Sequence, residues 1–100
     1  MSQSRPLAVG LVQTSPDVAP AARRQLRIAV ALFANDEGYA LVETFEIDGR
    51  PVHDDAAFQA LEELSVRLDA DALLVAGIVD RTRVDGLADR ARLVVYAAGS

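Results

Sequence analysis

Residues 7–12, Leu-Ala-Val-Gly-Leu-Val, and residues 71–79, Asp-Ala-Leu-Leu-Val-Ala-Gly-Ile-Val, are stretches where apolar positions follow one another almost without alternation. A short unbroken apolar run closed by polar and turn residues is the pattern of a strand buried on both faces. Both are predicted as central strands, the first and the third of the fold. Between about residue 19 and residue 36 the period changes. Ala22, Leu26, Ala29, Val30 and Phe33 recur at helical spacing and draw one stripe, with Arg23, Arg24 and Arg27 largely off it. Pro16 and Pro20 stop the strand and preset the helix start, and Gly38 supplies a left-handed cap at its end.

Residues 39–46 mix polar and apolar positions, with Leu41 and Phe45 among the inward candidates, and predict a more exposed second strand. Residues 47–53 read as a loop around the turn signal Asp48-Gly49. Asp54 or Asp55 then caps a helix to about Leu68, with Ala57, Phe58, Leu61, Leu64 and Leu68 as its buried stripe and Glu62, Glu63 and Arg67 on its wet side. Asp80-Arg81-Thr82-Arg83 breaks the third strand. A short helix weakened by Gly86 covers residues 84–91, and a fourth strand covers residues 93–97.

Strands alternating with helices of this length require right-handed crossovers. The predicted fold is therefore a three-layer αβα domain with a four-stranded, mainly parallel sheet. A strand order of 2-1-3-4 puts the two most apolar strands in the middle. At 100 residues the chain is expected to be one domain over residues 1–100, with a disordered amino terminus over residues 1–5.

Composition narrows the chemistry. About half the residues are apolar and a quarter charged, the balance of a globular protein. With no cysteine, disulfides, thiolate metal sites and cysteine nucleophiles are excluded, and the single His53 cannot build a zinc site alone. No metal or other cofactor is expected. The amino terminus has no apolar run after Arg5, and no stretch approaches the length that spans a bilayer, so the expectation is a cytoplasmic protein without membrane contact. The net charge is −5 and every basic residue is arginine, which works against binding nucleic acid.

In parallel sheets of this kind, ligands bind beyond the carboxyl ends of the strands. That edge should collect Gln13, Thr14, Ser15 and Asp17, then Glu46 and Asp48, then Asp80, Arg81 and Arg83. A serine beside two guanidinium groups has the chemistry to attack or cradle a phosphate. The plainer alternative is that Ser15 or Asp17 caps the first helix while Arg81 pairs with Asp80 or Asp17. Similarly, His53, the Arg23, Arg24 and Arg27 face, and the acids Glu62, Glu63, Asp69 and Asp71 have ordinary explanations as solvated side chains.

Residues 10–17, Gly-Leu-Val-Gln-Thr-Ser-Pro-Asp, resemble the first strand and loop of serine recombinases, the resolvase and invertase family, with Ser15 at the nucleophile position. Residues 58–61 sit where that family starts its second helix, and residues 72–75 followed by Val79-Asp80-Arg81 resemble its third strand and Asp-Arg motif. The resemblance covers about residues 7–84 and implies a resolvase-like, flavodoxin-like fold and DNA recombination chemistry at Ser15, Asp80, Arg81 and Arg83. The pattern is also depleted. The arginine two positions before the nucleophile is Gln13, the one ahead of the second helix falls near Asp55, and the one four places after Asp80 meets Val84, with Arg83 one short. Losing donors from a site that must stabilise a charged phosphoryl transition state costs about a hundredfold or more each.

No helix-turn-helix is expected after the fourth strand, whose outer edge is expected to be open, with Val94, Val95 and Tyr96 along it. An open edge of this kind invites a homodimer or capture of a strand from a protein partner. The sequence therefore points first to a non-catalytic, recombinase-like domain acting as a regulatory or protein-interaction module, with Ser15, Asp80, Arg81 and Arg83 vestigial. The alternatives are a divergent recombinase using Ser15 on DNA and a small-anion or nucleotide sensor.

Overall fold

The computed structural model describes residues 5–99 and gives the elements β1 (Leu7–Gln13), α1 (Pro20–Asp36), β2 (Ala40–Ile47), α2 (Pro51–Leu68), β3 (Ala72–Gly77), α3 (Arg81–Ala91) and β4 (Val94–Gly99). Of the segment expected to be disordered, residues 1–4 lie outside the described residues and Arg5 is exposed. The strands form one sheet in the order β2-β1-β3-β4, and every pairing is parallel. The mainly parallel sheet of the sequence is thus wholly parallel.

The central strands follow from their apolar runs: Ala8, Val9, Leu11 and Val12 in β1 and Leu73 and Leu74 in β3 are fully buried. Alternation sends Val9, Leu11, Leu73 and Val75 to the face covered by α2 and α3, where Phe58, Leu61, Val84 and Leu87 meet them. Ala8, Val12, Leu74 and Ala76 face α1 through Val30 and Ala34. Gly10 lies on this second face. A Cβ there would sit 2.8 Å from Val30 Cγ1 and 2.7 Å from Thr44 Oγ1, so the missing side chain lets α1 approach the sheet closely.

The third strand stops at Gly77, short of the expected Ile78 and Val79, with Ile78 80% exposed, and three further local features depart from expectation. First, α2 begins at Pro51, inside the predicted loop, because proline at the first helical position needs no hydrogen-bond partner. Arg50 stands at its N-cap without a side-chain bond, so neither Asp54 nor Asp55 caps the helix. Second, α3 begins at Arg81, since the Asp80 carboxylate accepts from the Arg83 N–H at 3.2 Å and starts the helix before Val84. Third, Ala22 is exposed and Ala34 is buried, so the α1 contact stripe is shifted toward the helix end. Gly38 adopts φ +81° just past that end, as expected of a left-handed cap.

Candidate functional site

The end of β1 organises the carboxyl edge of the sheet. The Thr14 N–H donates to the Ile47 carbonyl at the end of β2, and the Gln13 carbonyl accepts from Ile78 N–H just after β3, both at 3.0 Å. Gln13 Oε1 also accepts from the Asp80 N–H at 2.9 Å. Three consecutive chain ends are therefore tied through two residues. Gly77, at φ +90°, makes the turn that brings Ile78 under Gln13; a Cβ on Gly77 would run into the Gln13 carbonyl oxygen.

The remaining family-matched groups also have partners within the chain. Asp80 is the α3 cap. Arg81 pairs with Asp85 one helical turn on, at 3.3 Å, and not with Asp80 or Asp17 as expected. Arg83 reaches across to α2, where its Nη2 lies 2.6 Å from Asp55 Oδ1 and its guanidinium sits 4.3 Å above the Phe58 ring centroid. Ser15 is exposed, and its side chain holds the Asp17 carboxyl below the usual carboxylate range; neither caps α1 as expected, because Ala19 stands at that N-cap without a side-chain bond. Among the described residues neither Arg81 nor Arg83 hydrogen-bonds to Ser15. The structure brings Gln13, Asp80 and Arg83 together through bonds from backbone N–H groups to the Gln13 and Asp80 side chains, and directs the guanidiniums of Arg81 and Arg83 to carboxylates on α3 and α2.

Arg83 also lines a hollow of about 360 Å³ between α2 and α3, which Arg90 and Glu62 close on the far side. Glu62 raises the Arg90 pKa through its hydrogen bond and its charge. Two ion pairs thus clasp the same pair of helices.

A second concentration of charge lies between α1 and the β2–α2 turn. Arg23 and Glu46 line two adjoining hollows of about 120 and 250 Å³, which also receive Arg24, Arg27, Arg50 and His53. Arg27 pairs with Glu46 at 3.1 Å and Arg50 with Asp48 at 2.7 Å. The Arg50 side chain holds the Asp48 carboxyl below its usual range, helped by the charge on His53. Arg23 donates to the Val18 carbonyl at 3.1 Å, and its Nε has no partner among the described residues.

Sequence reasoning named two polar side chains near this edge but missed their burial. Thr14 and Asp54 are 6% and 7% exposed, and Thr14 Oγ1 and Asp54 Oδ1 have no hydrogen-bond partner among the described residues. Asp54 had a readable signal, because extending the α2 stripe back four places from Phe58 lands on it. Thr14 had none.

Among the described residues no group of three or more metal-ligating side chains gathers, and no helix is long and apolar enough to cross a membrane. Compared with models of protein families, with curated proteins and with solved structures, the chain gives no match. The class is accordingly defined by the fold: a three-layer αβα domain on a parallel 2-1-3-4 sheet, the flavodoxin-like arrangement.

Proposed function

We propose that this chain is a non-catalytic, serine-recombinase-like domain that works in the cytoplasm through protein contacts, as a regulatory or accessory factor. The observation that carries this reading is the engagement of Arg83 by Asp55 and Phe58. At the position where the resemblance places an arginine, this chain has an acid, and that acid holds the arginine nearest the second family position. Gln13 fits the same picture. Its side chain accepts a hydrogen bond from the Asp80 N–H, a role no guanidinium can take because arginine has donors only. The donors a phosphoryl transition state requires are absent or committed to internal carboxylates.

Two assays test the reading. Incubation with nicked and supercoiled DNA is expected to give no covalent protein–DNA adduct. Affinity purification of the tagged chain is expected to retain the same defined proteins after nuclease treatment and after Ser15→Ala. An adduct that disappears in Ser15→Ala overturns the proposal in favour of recombination chemistry at Ser15 with Arg81 and Arg83.

A small-anion sensor is the second reading, favoured by Arg23 at the junction of two arginine-lined hollows in a chain of net charge −5. Calorimetry with inorganic phosphate, pyrophosphate and adenosine monophosphate decides it. Heat that is lost in Arg23→Gln supports a sensor, and no heat with any of the three removes it.

A further inference from the structure

We propose that the outer edge of β4 pairs with β4 of a second copy of this chain, antiparallel about a twofold axis at Tyr96. This rests on the interaction-module reading and names its partner. The backbone sets the phase. The Val94 N–H donates to the Asp71 carbonyl at 3.1 Å, so by alternation the N–H and C=O groups of Val95 and Ala97 point away from β3. Among the described residues no strand pairs with that side of β4. A twofold axis at Tyr96 sets Val95 opposite Ala97 of the second copy, and Ala97 opposite its Val95. In that register the outward groups exchange hydrogen bonds, and the two Tyr96 residues face each other as a non-hydrogen-bonded pair.

The side chains suit the same register. Val94 and Tyr96 are 55% and 38% exposed, both on the α1 face of β4. The axis sets Val95 against Ala97 of the second copy, large against small, within the regular part of β4 and short of the register shift between Ala97 and Gly99. Tyr96 is positioned beforehand, with its ring centroid 5.8 Å from that of Phe33 and 6.2 Å from that of Tyr39.

Charge separates this edge from the other. A chain of net charge −5 can associate with its copy only along a seam that does not oppose like charges, and residues 93–98 carry no charge at all. The β2 edge carries Glu43 and Glu46, both exposed, which guard it against self-pairing. A second copy therefore has one neutral edge to use, and it is β4.

The chain has no cysteine, so one introduced thiol reports the geometry directly. In a non-hydrogen-bonded antiparallel pair the opposed Cα atoms are about 4.5 Å apart, within disulfide reach. Under mild oxidation Tyr96→Cys is expected to give a covalent dimer at least tenfold faster than Val42→Cys on β2. Sedimentation of the unmodified chain is expected to show a concentration-dependent dimer. Ala97→Pro removes one outward N–H while leaving the β3 ladder intact, and should weaken that dimer at least tenfold with unchanged circular dichroism.

A monomer at every concentration, or a dimer that neither crosslinks through Tyr96→Cys nor responds to Ala97→Pro, overturns the inference. A monomer that still retains defined proteins removes the second copy and leaves the module reading standing. A β4-paired dimer that forms a Ser15-dependent adduct on DNA does the reverse.

Discussion

The two faces of the sheet are packed by different means. The face under α2 and α3 is filled by volume: its buried cluster includes Phe58, Leu61, Leu73 and Leu87, and two ion pairs clasp the helices above it. The α1 face is filled by proximity. Among the described residues its buried cluster is mostly alanine, Ala8, Ala34, Ala72 and Ala76, and the glycine at position 10 lets Val30 come down onto β1. Phe33, Tyr39 and Tyr96 close the rim of that thin layer. Small side chains allow close approach of a single helix but supply little width, so β4 keeps Val94 and Tyr96 partly in water. The apolar surface available to a partner follows from how this face is packed.

If the comparison holds, volume changes of opposite sign should harm the two faces. The largest effect is expected for Leu61→Ala, which empties a fully buried position under α2 and should cost about 2 to 5 kcal/mol in denaturant unfolding. Gly10→Ala adds a single methyl group under α1 and should cost about 1 to 3 kcal/mol, because Thr44 and Val30 must both give way. A neutral Gly10→Ala would show that the α1 face has slack, and the contrast would fail. Phe33→Leu stays apolar but removes the ring packed beside Tyr96, with an expected loss of about 0.5 to 1.5 kcal/mol. The same variant should weaken β4 pairing, because Tyr96 loses a wall.

What could be read from the sequence divides along similar lines. The apolar runs in β1 and β3 left few alternatives to central positions, and with two helical stripes between strands they led to the observed order. The polar partners were misread even where they are local. Asp80, expected only to break the third strand, caps α3 three residues from the N–H it accepts, and Arg81, expected to pair with Asp80 or Asp17, finds Asp85 at helical spacing. The pairing of Arg83 with Asp55, 28 residues away, depends on how α2 and α3 pack, and no local pattern encodes it. Resemblance directed attention to Ser15 and the arginines, yet Gln13, noticed there only as a missing arginine, proved to be the residue that braces the loop before α3. The burial of Thr14 was hidden because a threonine after a strand is equally at home in water.

The smallest effect expected is a pH dependence in the β2–α2 turn, where the chain passes to the thicker face. The Arg50 guanidinium lowers the Asp48 carboxyl pKa below its unfolded value, so ionised Asp48 is better accommodated folded than unfolded. The stability this contributes is complete above the unfolded carboxylate pKa of about 3.9 and disappears as pH falls through the lowered folded value. Asp48→Asn should therefore lower Tm at pH 7 and give the same Tm as the unmodified chain once both are well below that range. Asp17, held down by Ser15, titrates in both proteins and cancels from the difference. An Asp48→Asn difference that persists unchanged into acid would show that the effect does not come from the Asp48 charge.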